Sequence, residues 1–179
     1  MSDVERVLRQ VDEGLPGALE RLFELLRIDS ISTDPAYRES CRKAADWLVE
    51  DLRSIGFETQ RHDTPGHPMV VGHQDGASKN GPHLLFYGHY DVQPVDPLEL
   101  WNRPPFEPAV EETDNGKVIR ARGAADDKGQ LMTFVEACRA WKQVTGSLPT
   151  RVSLFFDGEE ESGSPSLIPF MQAHRDELK

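Results

Sequence analysis

Long apolar runs are missing from this sequence, and none approaches the length a membrane-crossing helix needs. The N-terminus, Met1-Ser2-Asp3-Val4-Glu5-Arg6, has no basic start followed by an apolar stretch. Together these absences argue against a membrane partner and predict a cytoplasmic protein. Cysteine is scarce: Cys41 and Cys138 each lie in a helical pattern and form no CxxC pair, so they read as small packing residues in a reducing compartment. Positive charge is also short, with 20 Lys and Arg against 31 Asp and Glu and a net charge of -11. Such a surface repels a phosphate backbone and anionic lipid but gathers cations, which excludes nucleic acid as a natural partner. No GxxxxGK or GxGxxG follows a strand pattern, so a nucleotide-binding domain is disfavoured. There is no internal repeat and no low-complexity linker. With 179 residues, 37% of them hydrophobic, the expectation is one globular domain with one good core.

Apolar residues at Val4, Val7, Leu8 and Val11, then at Leu15, Leu19, Leu22, Phe23 and Leu26, predict a helix around a kink at Pro16. A second helix is expected from about Pro35 to Ile55, stopped by Gly56. The period then changes. Phe57–Arg61, Met69–Gly72 and Leu84–Tyr87 read as strands, the last fully buried because it is apolar without alternation. Asp114-Asn115-Gly116 between Ala109–Glu111 and Lys117–Arg120 signals a hairpin. A helix over about Lys128–Val144, a strand over Arg151–Phe156 and a last helix from Ser164 to Leu178 complete the order. His174–Lys179 is read as a charged helix end, since Lys179 spoils the likeness to a luminal retention signal. Helices flanking a mixed sheet predict an α/β sandwich of three layers.

Three segments at strand ends carry chemistry. In Gly88-His89-Tyr90-Asp91, residues two apart in extended chain point the same way, so Asp91 can reach the His89 imidazole, fix its tautomer and leave the other nitrogen for a metal. The plainer reading of such a triplet is a hydrogen-bonded surface turn. In Arg122-Gly123-Ala124-Ala125-Asp126-Asp127-Lys128-Gly129, between a strand and a helix, Asp127 is open to a simple helix-capping role. In Asp157-Gly158-Glu159-Glu160-Glu161-Ser162-Gly163-Ser164 the alternative is a solvated acidic turn with Ser164 capping the final helix. Adjacent carboxylates repel unless a cation lies between them, however, and that cost favours a metal. Imidazole and carboxylate ligands together suit zinc, with cobalt or manganese as substitutes, better than calcium.

Leu85-Phe86-Tyr87-Gly88-His89-Tyr90-Asp91-Val92, then Gly123-Ala124-Ala125-Asp126-Asp127-Lys128-Gly129, then Glu160-Glu161-Ser162-Gly163-Ser164 resemble, in order, three signatures of the zinc aminoacylase, carboxypeptidase and dipeptidase family. Gln93-Pro94 through Trp101 to Pro104-Pro105-Phe106-Glu107-Pro108 looks most like its dipeptidase branch. The resemblance implies the di-zinc exopeptidase catalytic domain. By that likeness His89 would bind the first of two Zn²⁺, Asp126 would bridge both, and Glu161 would bind the second. Asp91 would orient His89, Glu160 would be the general base, and the Asp126–Asp127 peptide would be cis. Glu159 falls one position outside the pattern, and His62, His67, His73, His83 and His174 match no ligand position and read as loop or surface histidines.

The family places a further carboxylate ligand, a lid and dimerisation domain and a final histidine ligand beyond the stretch that residues 1–179 match. The expectation is therefore the N-terminal part of a catalytic domain, weak in zinc and poorly active alone. Its parent would be a homodimer acting on a small dipeptide or N-acyl amino acid. The competing expectation is a metal-independent binding or scaffolding module that keeps the fold, which zinc titration would separate.

Overall fold

The computed structural model describes residues 1–78 and 80–178. Helix α1, Asp3–Leu26, begins with a capping box: the Ser2 hydroxyl accepts from the Glu5 amide while the Glu5 carboxylate accepts from the Ser2 amide. Pro16 lies inside α1, and the expected kink does not divide it. A turn of 3-10 helix, Pro35–Tyr37, leads into α2, Arg38–Ser54, and Gly56 at φ +90° ends it as expected. Strands β1 (Glu58–His62), β2 (Met69–Gln74) and β3 (His83–His89) follow. Then come the hairpin β4 (Ala109–Thr113) and β5 (Gly116–Arg120), helix α3 (Lys128–Thr145), strand β6 (Arg151–Asp157) and helix α4 (Leu167–Ala173). No helix among the described residues is long and apolar enough to cross a membrane.

The main sheet is mixed, in the order β1-β2-β6-β3, with β6 antiparallel to β2 and parallel to β3. Strand periodicity sorts its side chains onto two faces. Val70, Val152, Leu154 and Phe156 join Leu48, Leu52, Leu131 and Val135 in the principal core beneath α2 and α3. Met69, Val71 and Phe155 face the other way and meet Phe170 of α4 and Leu178. This gives the three expected layers, with α1 packed on α3 rather than directly on the sheet.

Two expectations need correction. Strand β3 is not fully buried: it is an edge strand, and Leu84, Leu85 and Tyr87 are 45%, 39% and 42% exposed. An apolar run without alternation says that both faces are fully covered, but here Phe86 stacks on Phe134 of α3 while Tyr87 meets Phe155 only edge-on and stays partly open. The final helix is also short. Gly163 and Ser164 at φ +87° and +49° turn the chain, Ser164 donates to Asp157 Oδ2 at 2.7 Å instead of capping, and α4 begins only at Leu167. Beyond Ala173 the chain turns rather than continuing as a charged helix, and Leu178 is buried; Lys179 lies outside the described residues.

Candidate metal centre

Parallel pairing sets His89 opposite Asp157 at the carboxyl ends of β3 and β6. The segment that follows β3 is pinned at several points. The Tyr90 amide donates to Asp157 O, the buried Tyr90 hydroxyl donates to Pro68 O, and Ser30 Oγ donates to Tyr90 O. With Tyr90 turned into the core, His89 and Asp91 project together, as residues two apart in extended chain must.

His89 Nε2 lies 3.0 Å from Asp126 Oδ1 and 3.8 Å from Glu160 Oε2. Its Nδ1 is shared between the Asp91 carboxylate, at 3.3 Å, and the Asp91 carbonyl, at 3.2 Å. Fully buried Asp91 also accepts from Ser32 Oγ at 2.5 Å and from the amides of Glu160 and Glu161 at 3.2 and 3.0 Å. It thus fixes both the imidazole and the acidic turn beside it. Glu160 and Glu161 open a 3-10 turn, Glu160–Ser162, and ligand atoms of His89, Glu160 and Glu161 all come within 4.8 Å of one another. Glu161 Oε2 accepts from Gln93 Nε2 at 2.6 Å. The Asp126–Asp127 peptide is cis. Asp127 stands at the start of α3 but makes no side-chain cap; its Oδ2 accepts from the His89 amide at 3.1 Å. All five residues singled out in the sequence therefore meet in one place. A cavity of about 650 Å³ lies elsewhere, between α1 and α3.

The electrostatics suit a cation. Burial would lower the His89 pKa, but the Asp91 hydrogen bond and charge, with Asp127 and Asp126, outweigh it and raise the value to about 9. Burial raises the Glu160 carboxyl, His89 eases it, and Glu161, Asp91 and Asp126 push it up again. An imidazole that holds a proton this firmly sits in a field of surplus carboxylates, and a divalent ion answers that field with more charge than a proton does. One imidazole amid Asp126, Glu160 and Glu161 is a donor set that zinc, cobalt or manganese accepts.

Several residues that build the site escaped the motif reading. Glu159 is 1% exposed and accepts from the amides of His67 and Ser166, so its carboxylate braces the loop from behind instead of facing the site. His67 is buried and not a surface residue, with Nε2 2.9 Å from Ser32 O. Lys128, wholly buried, donates to Leu25 O and Ile28 O and ties the start of α3 to the end of α1. Glu159 adjoins a motif and Lys128 lies within one, whereas His67 is far from all three and has no local signal.

Known proteins are similar to this chain over most of its length. The Cys-Gly metallodipeptidase dug1 of Schizosaccharomyces pombe is 29% identical over 95% of this chain, which spans 37% of that protein's length. The structure of the di-peptidase Dug1p from Saccharomyces cerevisiae superposes with a TM-score of 0.85 at 27% identity, over 97% of this chain and 38% of that one. The metallo-carboxypeptidase Sso-CP2 from Sulfolobus solfataricus superposes with a TM-score of 0.79 at 36% identity, over 90% and 35%. The sequence profile of Peptidase family M20/M25/M40 matches residues 85–179, the stretch that holds His89, Asp126, Glu160 and Glu161, and the chain belongs to that family.

Proposed function

We propose that this chain is the N-terminal part of the catalytic domain of a two-zinc hydrolase that cleaves the amide bond of a dipeptide or N-acyl amino acid. The observation that carries the reading is His89 Nε2 facing Asp126 and Glu160 while Asp91 holds the opposite nitrogen. His89, Asp126 and Glu161 would hold the ions, with Asp126 shared. Two zinc ions, or cobalt or manganese in their place, would bring the pKa of a water towards neutrality and polarise the scissile carbonyl. Glu160 takes the proton from the attacking water and returns it to the leaving amine, a cycle that its raised proton affinity assists. Its side chain is 45% exposed, so a substrate can reach it. Dipeptides are favoured as substrates because relatives are named as Cys-Gly and Beta-Ala-His dipeptidases. The remaining ligands, a lid and a dimer contact are assigned to parts of the parent outside these residues.

The test is metal content after dialysis against zinc, read beside turnover of a Cys-Gly dipeptide by the parent enzyme. His89→Ala and Asp126→Ala should lose metal. Glu160→Gln should keep it and lose turnover by about 10²–10⁴-fold, the usual worth of a general base. A Glu160→Gln enzyme that hydrolyses normally ends the mechanism, and a His89→Ala protein that holds its full metal ends the ligand assignment.

A further inference from the structure

On the α4 side of the sheet, the strand register brings together polar groups that the His89 centre does not use. His62 on β1 pairs with Met69, His73 on β2 pairs with Ser153 on β6, and Met69 and Ser153 lie on the α4 face, so both imidazoles project there. The turn after α4 brings in His174 and Glu177, three residues apart, with the Glu177 amide donating to His174 O. Glu177 lies among all three rings. Its Oε2 is 2.6 Å from His174 Nδ1, and its Oε1 is 3.3 Å from His73 Nε2 and 4.0 Å from His62 Nε2.

We infer that His62, His73, His174 and Glu177 form a second cation site, for a borderline divalent metal such as zinc, that fastens the segment after α4 to the sheet. Three features carry this. Among the described residues His62 Nε2 is buried without a hydrogen-bond partner, and an imidazole nitrogen in that state lacks the ligand its lone pair or proton needs. His73 is oriented as a metal-bound histidine is, by a hydrogen-bonding group on the far nitrogen: its Nδ1 is 2.7 Å from Ser153 Oγ. Arg151 donates to His83 Nδ1, so His83 Nε2–H donates to Ser153 Oγ. That oxygen has a second lone pair, which can accept Nδ1–H of His73 and leave Nε2 bare. Finally, His174 and Glu177 on one turn are a ready chelating pair. Bonds of about 2.0–2.2 Å around a tetrahedral ion set neighbouring ligands roughly 3.3–3.5 Å apart, close to the His73–Glu177 separation.

The site is less gathered than the first. Among the described residues, only His89, Glu160 and Glu161 have three ligand atoms mutually within 4.8 Å. Loading therefore requires the His62 and His174 rings to turn towards Glu177, and binding should be weaker than at a preformed zinc site.

The test uses the full chain with His89 and Asp126 both replaced by Ala, titrated with Co²⁺ and Zn²⁺. One equivalent should still bind, and Co²⁺ should give the intense visible absorption of a four-coordinate site. Zinc should raise the melting temperature through linkage. His73→Gln, and separately Glu177→Gln in the exposed turn, should weaken binding at least about tenfold while circular dichroism stays unchanged. No residual equivalent, or one that survives both replacements, overturns the assignment. Because the His89 centre is silenced throughout, the result is independent of the proposed catalytic reading.

Discussion

Asp91 Oδ2 accepts the backbone amide of Glu161 at 3.0 Å, although 70 residues separate the two along the chain. One carboxylate therefore aims the imidazole and holds the acidic turn in register with it. Asp91→Ala should cost more than its modest size suggests. Metal affinity should fall roughly 10–100-fold, as for other groups that orient a ligand, and calorimetric titration would show it. Unchanged affinity would mean that His89 and the acidic turn hold their places without Asp91.

Arg21 of α1 and Glu136 of α3 form a bidentate pair with both contacts at 2.7 Å, and Arg139 adds contacts to Glu136 at 3.2 Å. Burial raises the Glu136 carboxyl, but the two guanidiniums prevail and hold it below the ordinary glutamate value. A carboxyl depressed in the folded state binds fewer protons there than in the unfolded chain. Its stabilisation is complete above the ordinary value and disappears as pH falls through the depressed one. Glu136→Gln should lower stability at neutral pH by about 1.5–3 kcal/mol, a hydrogen bond to a charged group being of that size. The difference should close in strong acid. Urea melts at neutral pH and below the glutamate range measure it, and a gap that persists in acid would assign the effect to packing.

Lys128 fills a wholly buried position and satisfies Leu25 O and Ile28 O at the carboxyl end of α1. Helix ends leave carbonyls that need such partners. Lys128→Met keeps the stem but removes the charged donor from both carbonyls, leaving Leu25 O to the Ile28 amide and Ile28 O to the Ser30 amide, so it should destabilise by about 1–3 kcal/mol. Lys128→Ala should cost more, because it adds a cavity. A methionine variant as stable as the parent would show that water replaces the ammonium.

Strand β3 leaves one edge of its backbone without a strand partner among the described residues, and Leu84, Leu85 and Tyr87 are exposed beside it. Unpaired edges with apolar side chains invite a second chain. Light scattering should find concentration-dependent self-association, and Leu85→Lys should reduce it without moving the melting temperature by more than a degree or two. A strict monomer at high concentration would remove the edge from consideration.

Much of this was legible in the residues because it depends on local order. Gly56 ends α2, Asp114-Asn115-Gly116 turns the hairpin, and His89 and Asp91 share a direction because extended chain alternates. What failed depends on partners far along the chain. Leu84 and Leu85 read as buried since a run of apolar residues carries no record of which strand lies beside it. Glu159 and Glu160 are neighbours with opposite surroundings, one among His67 and Ser166, the other beside His89. Lys128 sits in a motif yet serves α1, and no spacing within the motif announces a donor to Leu25.

The Asp91 contacts also set a timetable. Asp91 and Glu160 are 69 residues apart, with the β4–β5 hairpin and all of α3 between them, and the strands they follow are parallel neighbours. The link between Asp91 and the acidic turn cannot exist while the chain is still local structure. Closing a loop of that length is costly in entropy before any contact repays it. In refolding, helical signal should therefore return first, and the capacity to take up metal should return last, together with the pairing of β3 and β6. On a growing chain, the imidazole of His89 waits without Glu160 and Glu161 until β6 and the turn beyond it have been made.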